Sequence, residues 1–143
     1  MKTKQEITYR AGYKYQLENA YIHQLSYVFP DVAYEYETDY LWLGLDKKLI
    51  VKKGYAWDGP SGPTIDTKNF MRGSLVHDAL YQLMRLGYLD KNICRILADQ
   101  ELYRICSEDE MSWVRTRMMY YSLRVFGNPA ARHNAENPII EAP

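Results

Sequence analysis

The chain has 143 residues, 47% of them hydrophobic and 25% charged, with 18 Lys and Arg against 18 Asp and Glu. That length suits one domain with a core of its own, and the apolar share is too high for a disordered chain. A formal net charge of zero removes the basic excess a general nucleic-acid binder relies on, so no such binding is expected.

Tyrosine is over-used, with 14 Tyr against 3 Phe. An apolar ring with a hydroxyl at its tip suits half-buried strands, and also suits a contact face for other proteins. The two cysteines, Cys94 and Cys106, lack the spacing of a metal or redox motif and read as reduced core thiols. The opening "MKTKQEITYR" has basic residues but no apolar run behind it, so no secretory signal is expected. No stretch approaches the roughly 20 apolar residues of a membrane span.

In chain order, residues 1–57 read as strands. Aromatic and β-branched residues alternate through "KYQLENAYIHQLSYVF", "VAYEYETDYLWLGL" and "KLIVKKGYAW", with turns at Pro30–Asp31 and between Gly44 and Lys48. Two or three antiparallel strands or hairpins are predicted. Residues 58–67 form a loop, because "DGPSGP" packs two Gly and two Pro into six positions and no helix or central strand passes through that. Three helices fill 68–127. The first begins near Lys68 to Arg72, with Asp66 or Thr67 as cap, and stops at Gly87. The second starts at Asp90 and ends near Cys106, its apolar positions being Ile93, Leu97, Ile96 and Tyr103. In the third, "SEDE" from Ser107 supplies cap and acids, and the helix ends at Phe126 before Gly127-Asn128-Pro129. Residues 128–143 form a polar, proline-containing tail, extended or draped over another surface. The fold class is α+β, a single domain over 1–127 with a small antiparallel β part ahead of three helices.

One constellation suggests chemistry. Of three histidines, only His77 has an acid beside it and a turn-rich loop shortly upstream. Ser74, His77, Asp78 and Tyr81 share one side of their helix by three- and four-residue spacing. Asp78 sits among Leu75, Val76, Ala79, Leu80 and Leu83, where a carboxylate needs a cation or hydrogen-bond donors. Asp99 stands on the next helix. His77 precedes Leu86 by nine residues and Asp99 follows Asp90 by nine, so an antiparallel pair brings them to one height, with the carboxylate orienting the imidazole. The same geometry equally describes a core histidine satisfied by an acid.

From Tyr55 to Gly127 the chain resembles a phage and prophage family classed as a domain of unknown function. The resemblance lies in Asp58, Ser61 and Pro63; "HDALY" from His77 to Tyr81; Ala98-Asp99; and "MMYYSLRVFG" from Met118 to Gly127. Leu123 stands where the family pattern Val-Arg-x-Phe-Gly has Val. The resemblance implies a phage or prophage origin, hence the host cytoplasm or a virion, and other phage proteins as partners for the Tyr-rich strands and the tail. "HDALY" is also similar to the His-Asp-x-x-Tyr helix of secreted phospholipases A2. This second resemblance implies a phospholipase A2-like antiparallel helix pair, with His77 as base, Asp99 as orienting acid and Tyr81 beside them. It implies calcium held by Asp78, Asp58 and loop carbonyls such as those of Trp57 and Gly59, and a phospholipid or membrane surface as substrate. The chain departs from that pattern in lacking the flanking disulfide cysteines and in carrying two prolines in the loop. Calcium takes six to eight oxygens, and a Gly/Pro loop leaves carbonyls free. Other hydrolase signatures, Gly-x-Ser-x-Gly, His-Glu-x-x-His and the P-loop, do not occur.

Three readings therefore stand: a calcium-dependent lipid esterase; a noncatalytic virion or interaction protein whose His-Asp-Tyr-Asp cluster is a structural network; or a small phage inhibitor of a host enzyme, which has no sequence feature of its own.

Overall fold

The computed structural model describes residues 5–10, 15–58 and 68–126. Seven short strands precede three helices: β1 (Tyr9–Arg10), β2 (Tyr15–Leu17), β3 (Tyr21–Gln24), β4 (Tyr36–Glu37), β5 (Leu41–Leu43), β6 (Lys48–Val51), β7 (Ala56–Trp57), α1 (Lys68–Arg85), α2 (Lys91–Glu108) and α3 (Trp113–Phe126). The fold is α+β with antiparallel sheets, as the sequence pattern implies. The strands are more numerous and shorter than expected, and they divide between two sheets, β1-β2-β7 and β3-β6-β5-β4.

Period-two patterning fixes which way the larger sheet faces. Leu41 pairs with Val51 and Leu43 with Leu49, and all four side chains are fully buried. Tyr21 and His23 point inward on β3 while Ile22 and Gln24 point out. A one-residue slip would expose this whole set.

Helix α1 lies at the centre. Fourteen of its 18 residues are buried, so the helix is enclosed nearly all round, and the buried set includes polar Arg72, Ser74, His77 and Gln82. It ends where the sequence says. Gly87 takes φ 81°, its N–H donates to the Met84 carbonyl at 3.0 Å and that of Tyr88 to Leu83 at 2.9 Å, closing the last turn. Asp90 caps α2 by accepting from the Asn92 N–H at 2.8 Å.

Contacts between α1 and α2 run in opposite senses. Arg72 reaches Glu108 and Asp109, and His77 and Tyr81 reach Asp99; the helices are antiparallel. Gly73 permits the close approach, since a Cβ there would lie 2.6 Å from Leu102 Cδ1 and 2.9 Å from Cys106 Sγ.

Two details differ from the sequence reading. "SEDE" does not open α3: α2 runs on to Glu108 and the Ser107 hydroxyl donates back to the Tyr103 carbonyl. Ser112 is the cap instead, its Oγ accepting from the Arg115 N–H at 3.3 Å. The buried side of α2 carries Cys94, Ala98, Asp99, Glu101, Leu102, Ile105 and Cys106, whereas Ile93 and Ile96 are exposed. With acids taking core positions, counting apolar residues misplaced Ile93 and Ile96, while Leu97 does pack against the core. Cys94 and Cys106 are free buried thiols, pushed up by burial to about 11 and about 12. Asp66, Thr67, Gly59 and the tail lie outside the described residues.

Candidate functional site

The site begins at the join between sheet and helix. The Trp57 indole is buried and its Nε1 donates to Ser74 Oγ at 3.0 Å, while Ser74 Oγ donates to the Met71 carbonyl at 2.9 Å. This pins the end of β7 to α1. Ser74 and Asp78 are four residues apart on one helix face, so the chain leaves Trp57 for Asp58 beside Asp78. The Asp58 charge is near enough to raise the Asp78 pKa.

His77, one residue earlier, is buried. Its Nε2 lies 2.7 Å from Asp99 Oδ1, and its ring packs on Tyr81 with centroids 4.1 Å apart. Asp99 is fully buried yet well satisfied. Oδ1 also accepts from the Tyr81 hydroxyl at 2.6 Å, and Oδ2 accepts from Arg124 Nη1 at 2.9 Å. Burial works to raise the Asp99 carboxyl, but hydrogen bonds from His77 and Tyr81, the His77 charge and the Arg124 bond outweigh it, and its pKa is lowered. An ionised Asp99 can only accept, so Nε2 carries the proton and donates. That turns Nδ1 toward Asp78, whose Oδ1 is 4.0 Å away.

The two acids flanking His77 thus differ. Asp99 is enclosed and ionised, whereas Asp78 keeps 34% of its side chain exposed. Loss of water raises the Asp78 pKa; His77 and Arg85 pull it back, and Asp58 pushes it up again. For His77, burial works to lower the pKa, but bonding to Asp78 and then Asp99, with their charges, raises it. The Tyr81 phenol is raised, first by burial and then by its bond to Asp99.

The Asp58 charge reaches Asp78, and carboxylate oxygens are among the donors a hard cation takes. Among the described residues no three His, Cys, Asp or Glu side chains gather into a metal-binding group. Asp58 and Asp78 would hold calcium only with further oxygens from carbonyls or water. The Trp57 side chain belongs to the core, leaving its carbonyl as the group it could offer, and Gly59 lies outside the described residues.

Sequence reasoning overlooked three groups. Arg124 comes from α3 to close Asp99, and Arg95 Nη2 holds the last turn of α3 by donating to the Leu123 and Arg124 carbonyls at 3.1 and 2.9 Å. Arg72, also buried, donates to Asp109 through Nε and Nη2, each at 3.0 Å, to Glu108 at 2.9 Å and to the Tyr21 hydroxyl at 2.9 Å. A second imidazole–carboxylate pair joins this network: His23 Nε2 lies 2.7 Å from Glu101 Oε1, and His23 Nδ1 bonds the Tyr21 hydroxyl at 3.2 Å. An arginine between the apolar pairs Phe70-Met71 and Leu75-Val76, with the acids of "SEDE" one helix later, was the sequence signal available for Arg72.

No family model matches the chain, and no curated protein or solved structure matches it either. The two resemblances rest on their motif residues. Among the described residues no helix is long and apolar enough to cross a membrane.

Proposed function

We propose that this chain is a phage or prophage protein with a calcium-dependent hydrolase site acting on lipid esters, its residues used in the manner of a phospholipase A2. The observation that carries this reading is the asymmetry around His77: Nε2 is anchored on enclosed Asp99 at 2.7 Å, while Nδ1 turns to part-exposed Asp78 with Asp58 nearby. A base that must take a proton needs one nitrogen fixed and the other directed at the reactants.

In this mechanism His77 Nδ1 removes a proton from water as the water oxygen bonds to the ester carbonyl carbon. Asp99 stabilises the imidazolium, and Tyr81 and Arg124 hold Asp99 in place. His77 then returns the proton to the departing alkoxide as the carbon–oxygen bond breaks. Bound at Asp58 and Asp78, calcium would polarise the carbonyl and offset the oxyanion charge.

A second reading is favoured by one observation, the near-complete burial of His77, which is 6% exposed. On that reading the His-Asp-Tyr-Asp cluster is a structural network in a noncatalytic virion or interaction protein. Hydrolysis of phospholipid vesicles, followed with calcium and with chelator, separates the two. The hydrolase reading expects turnover that chelator abolishes; no calcium-dependent turnover in the wild type leaves the structural reading standing.

A further inference from the structure

Helix α3 has an apolar face that the domain does not use. Trp113, Val114, Met118, Tyr121 and Val125 are each at least 55% exposed, while Thr116 and Met119 on the other side are buried. Val114, Met118, Tyr121 and Val125 follow a four-three-four spacing, which keeps them on one stripe. A contiguous exposed patch of this kind marks a contact surface.

The charge on α3 has one sign. Its charged residues are Arg115, Arg117 and Arg124, with no Asp or Glu. Arg117 lies beside the stripe, its guanidinium 4.9 Å from the Trp113 ring centroid and 5.9 Å from that of Tyr121. A cavity of about 290 Å³ opens there, lined by Gln100, Tyr103, Arg117, Tyr120 and Tyr121.

We propose that this face of α3 seats the protein on an anionic lipid surface, the stripe entering the headgroup boundary and Arg117 drawing a headgroup phosphate to the cavity. The proposal rests on the lipid-ester reading of the His77 site and names the surface that presents the substrate. Arginines beside an apolar stripe with Trp are what interfacial helices use. Arg124 is paired with Asp99, so Arg117 is the exposed cation of this face, and a second copy is disfavoured because α3 carries no acid to receive it. The Arg124–Asp99 bond and the Arg95 grip on the last turn tie this seat to the helix pair that holds His77.

The test is co-sedimentation with vesicles of phosphatidylcholine, alone or mixed with phosphatidylglycerol, in chelator so that binding is read without turnover. Wild type should pellet with the mixed vesicles. Arg117→Glu and the double variant Met118→Asp/Val125→Asp, all at exposed positions, should bind roughly tenfold more weakly, with unchanged far-UV circular dichroism. His77→Ala should bind as wild type does, so loss of hydrolysis and loss of seating are read apart. Two vesicle results overturn the proposal: no binding to the mixed vesicles, or α3 variants that bind as wild type. A concentration-dependent dimer in analytical ultracentrifugation that Met118→Asp/Val125→Asp dissolves would also overturn it, assigning the face to a second copy.

Discussion

Two buried imidazole–carboxylate pairs sit in this domain, both with Nε2 2.7 Å from an acid oxygen, and they differ in what the second ring nitrogen meets. His23 Nδ1 meets the Tyr21 hydroxyl, which also bonds Gln5 and Arg72. Glu101, 3% exposed, is shared with Arg104. Both His23 nitrogens are therefore spent inside the protein, tying β3 to α2. His77 Nδ1 meets a half-exposed carboxylate within the field of a second one. The first arrangement uses both ring nitrogens on enclosed groups; the second sets one of them toward a part-exposed acid. A buried His–acid bond is thus no mark of function by itself, and the partner of the other nitrogen separates the two cases.

The comparison breaks or sharpens most strongly on removing each ring in turn. His77→Ala should lower calcium-dependent hydrolysis by a factor of about 10² to 10⁴. The domain should stay folded, because Asp99 keeps Tyr81 and Arg124. On the hydrolase reading, His23→Ala should leave the rate of the folded protein unchanged and cost about 1–3 kcal/mol in urea unfolding, since it strips a buried acid of a partner. Equal rate losses in the two variants would erase the distinction.

A smaller effect lies in pH. The Glu101 pKa is lowered because bonds from His23 and Arg104 outweigh burial, and that of Asp99 is lowered too. A depressed carboxyl stabilises the fold fully above its unfolded value of about 4, and the contribution disappears as pH falls through the folded value. Both pairs should therefore weaken together in acid. His77 is raised, so its contribution is fully present below its ordinary value of about 6.5 and disappears as pH rises through the folded value. Urea unfolding from about pH 3 to pH 9 should show an alkaline decline that His77→Ala removes.

The smallest expected effect is at Asp78. Its pKa is raised, so the ionised form costs stability at neutral pH. Asp78→Asn should raise Tm by a small amount in chelator and abolish any rise in Tm on adding calcium. A lower Tm in chelator would instead make Asp78 a structural partner of His77.

Where local rules operate, the sequence was legible. Asp90 caps α2, Gly87 stops α1, and the matched heights of His77 and Asp99 follow from helix length alone. Ser107 misled because an N-cap residue and acids also occur inside a helix, where its hydroxyl bonds back to Tyr103. Arg124 and the His23–Glu101 pair were invisible for a different reason. His23 and Glu101 are 78 positions apart, and only the packing of sheet on helix brings them together. Period-two alternation places His23 inward but cannot name the acid it will find. Likewise "SLRVFG" marks the end of a helix without saying that its arginine turns to Asp99.

The central claim is that His77 Nδ1 serves a reaction partner while His23 Nδ1 serves the fold. Ring-nitrogen NMR of both histidines during a calcium titration tests it most directly. The account predicts that the His77 signals move saturably with calcium, that Asp78→Asn suppresses the movement, and that the His23 signals stay in place. Saturable movement of neither ring, or equal movement of both, would contradict it.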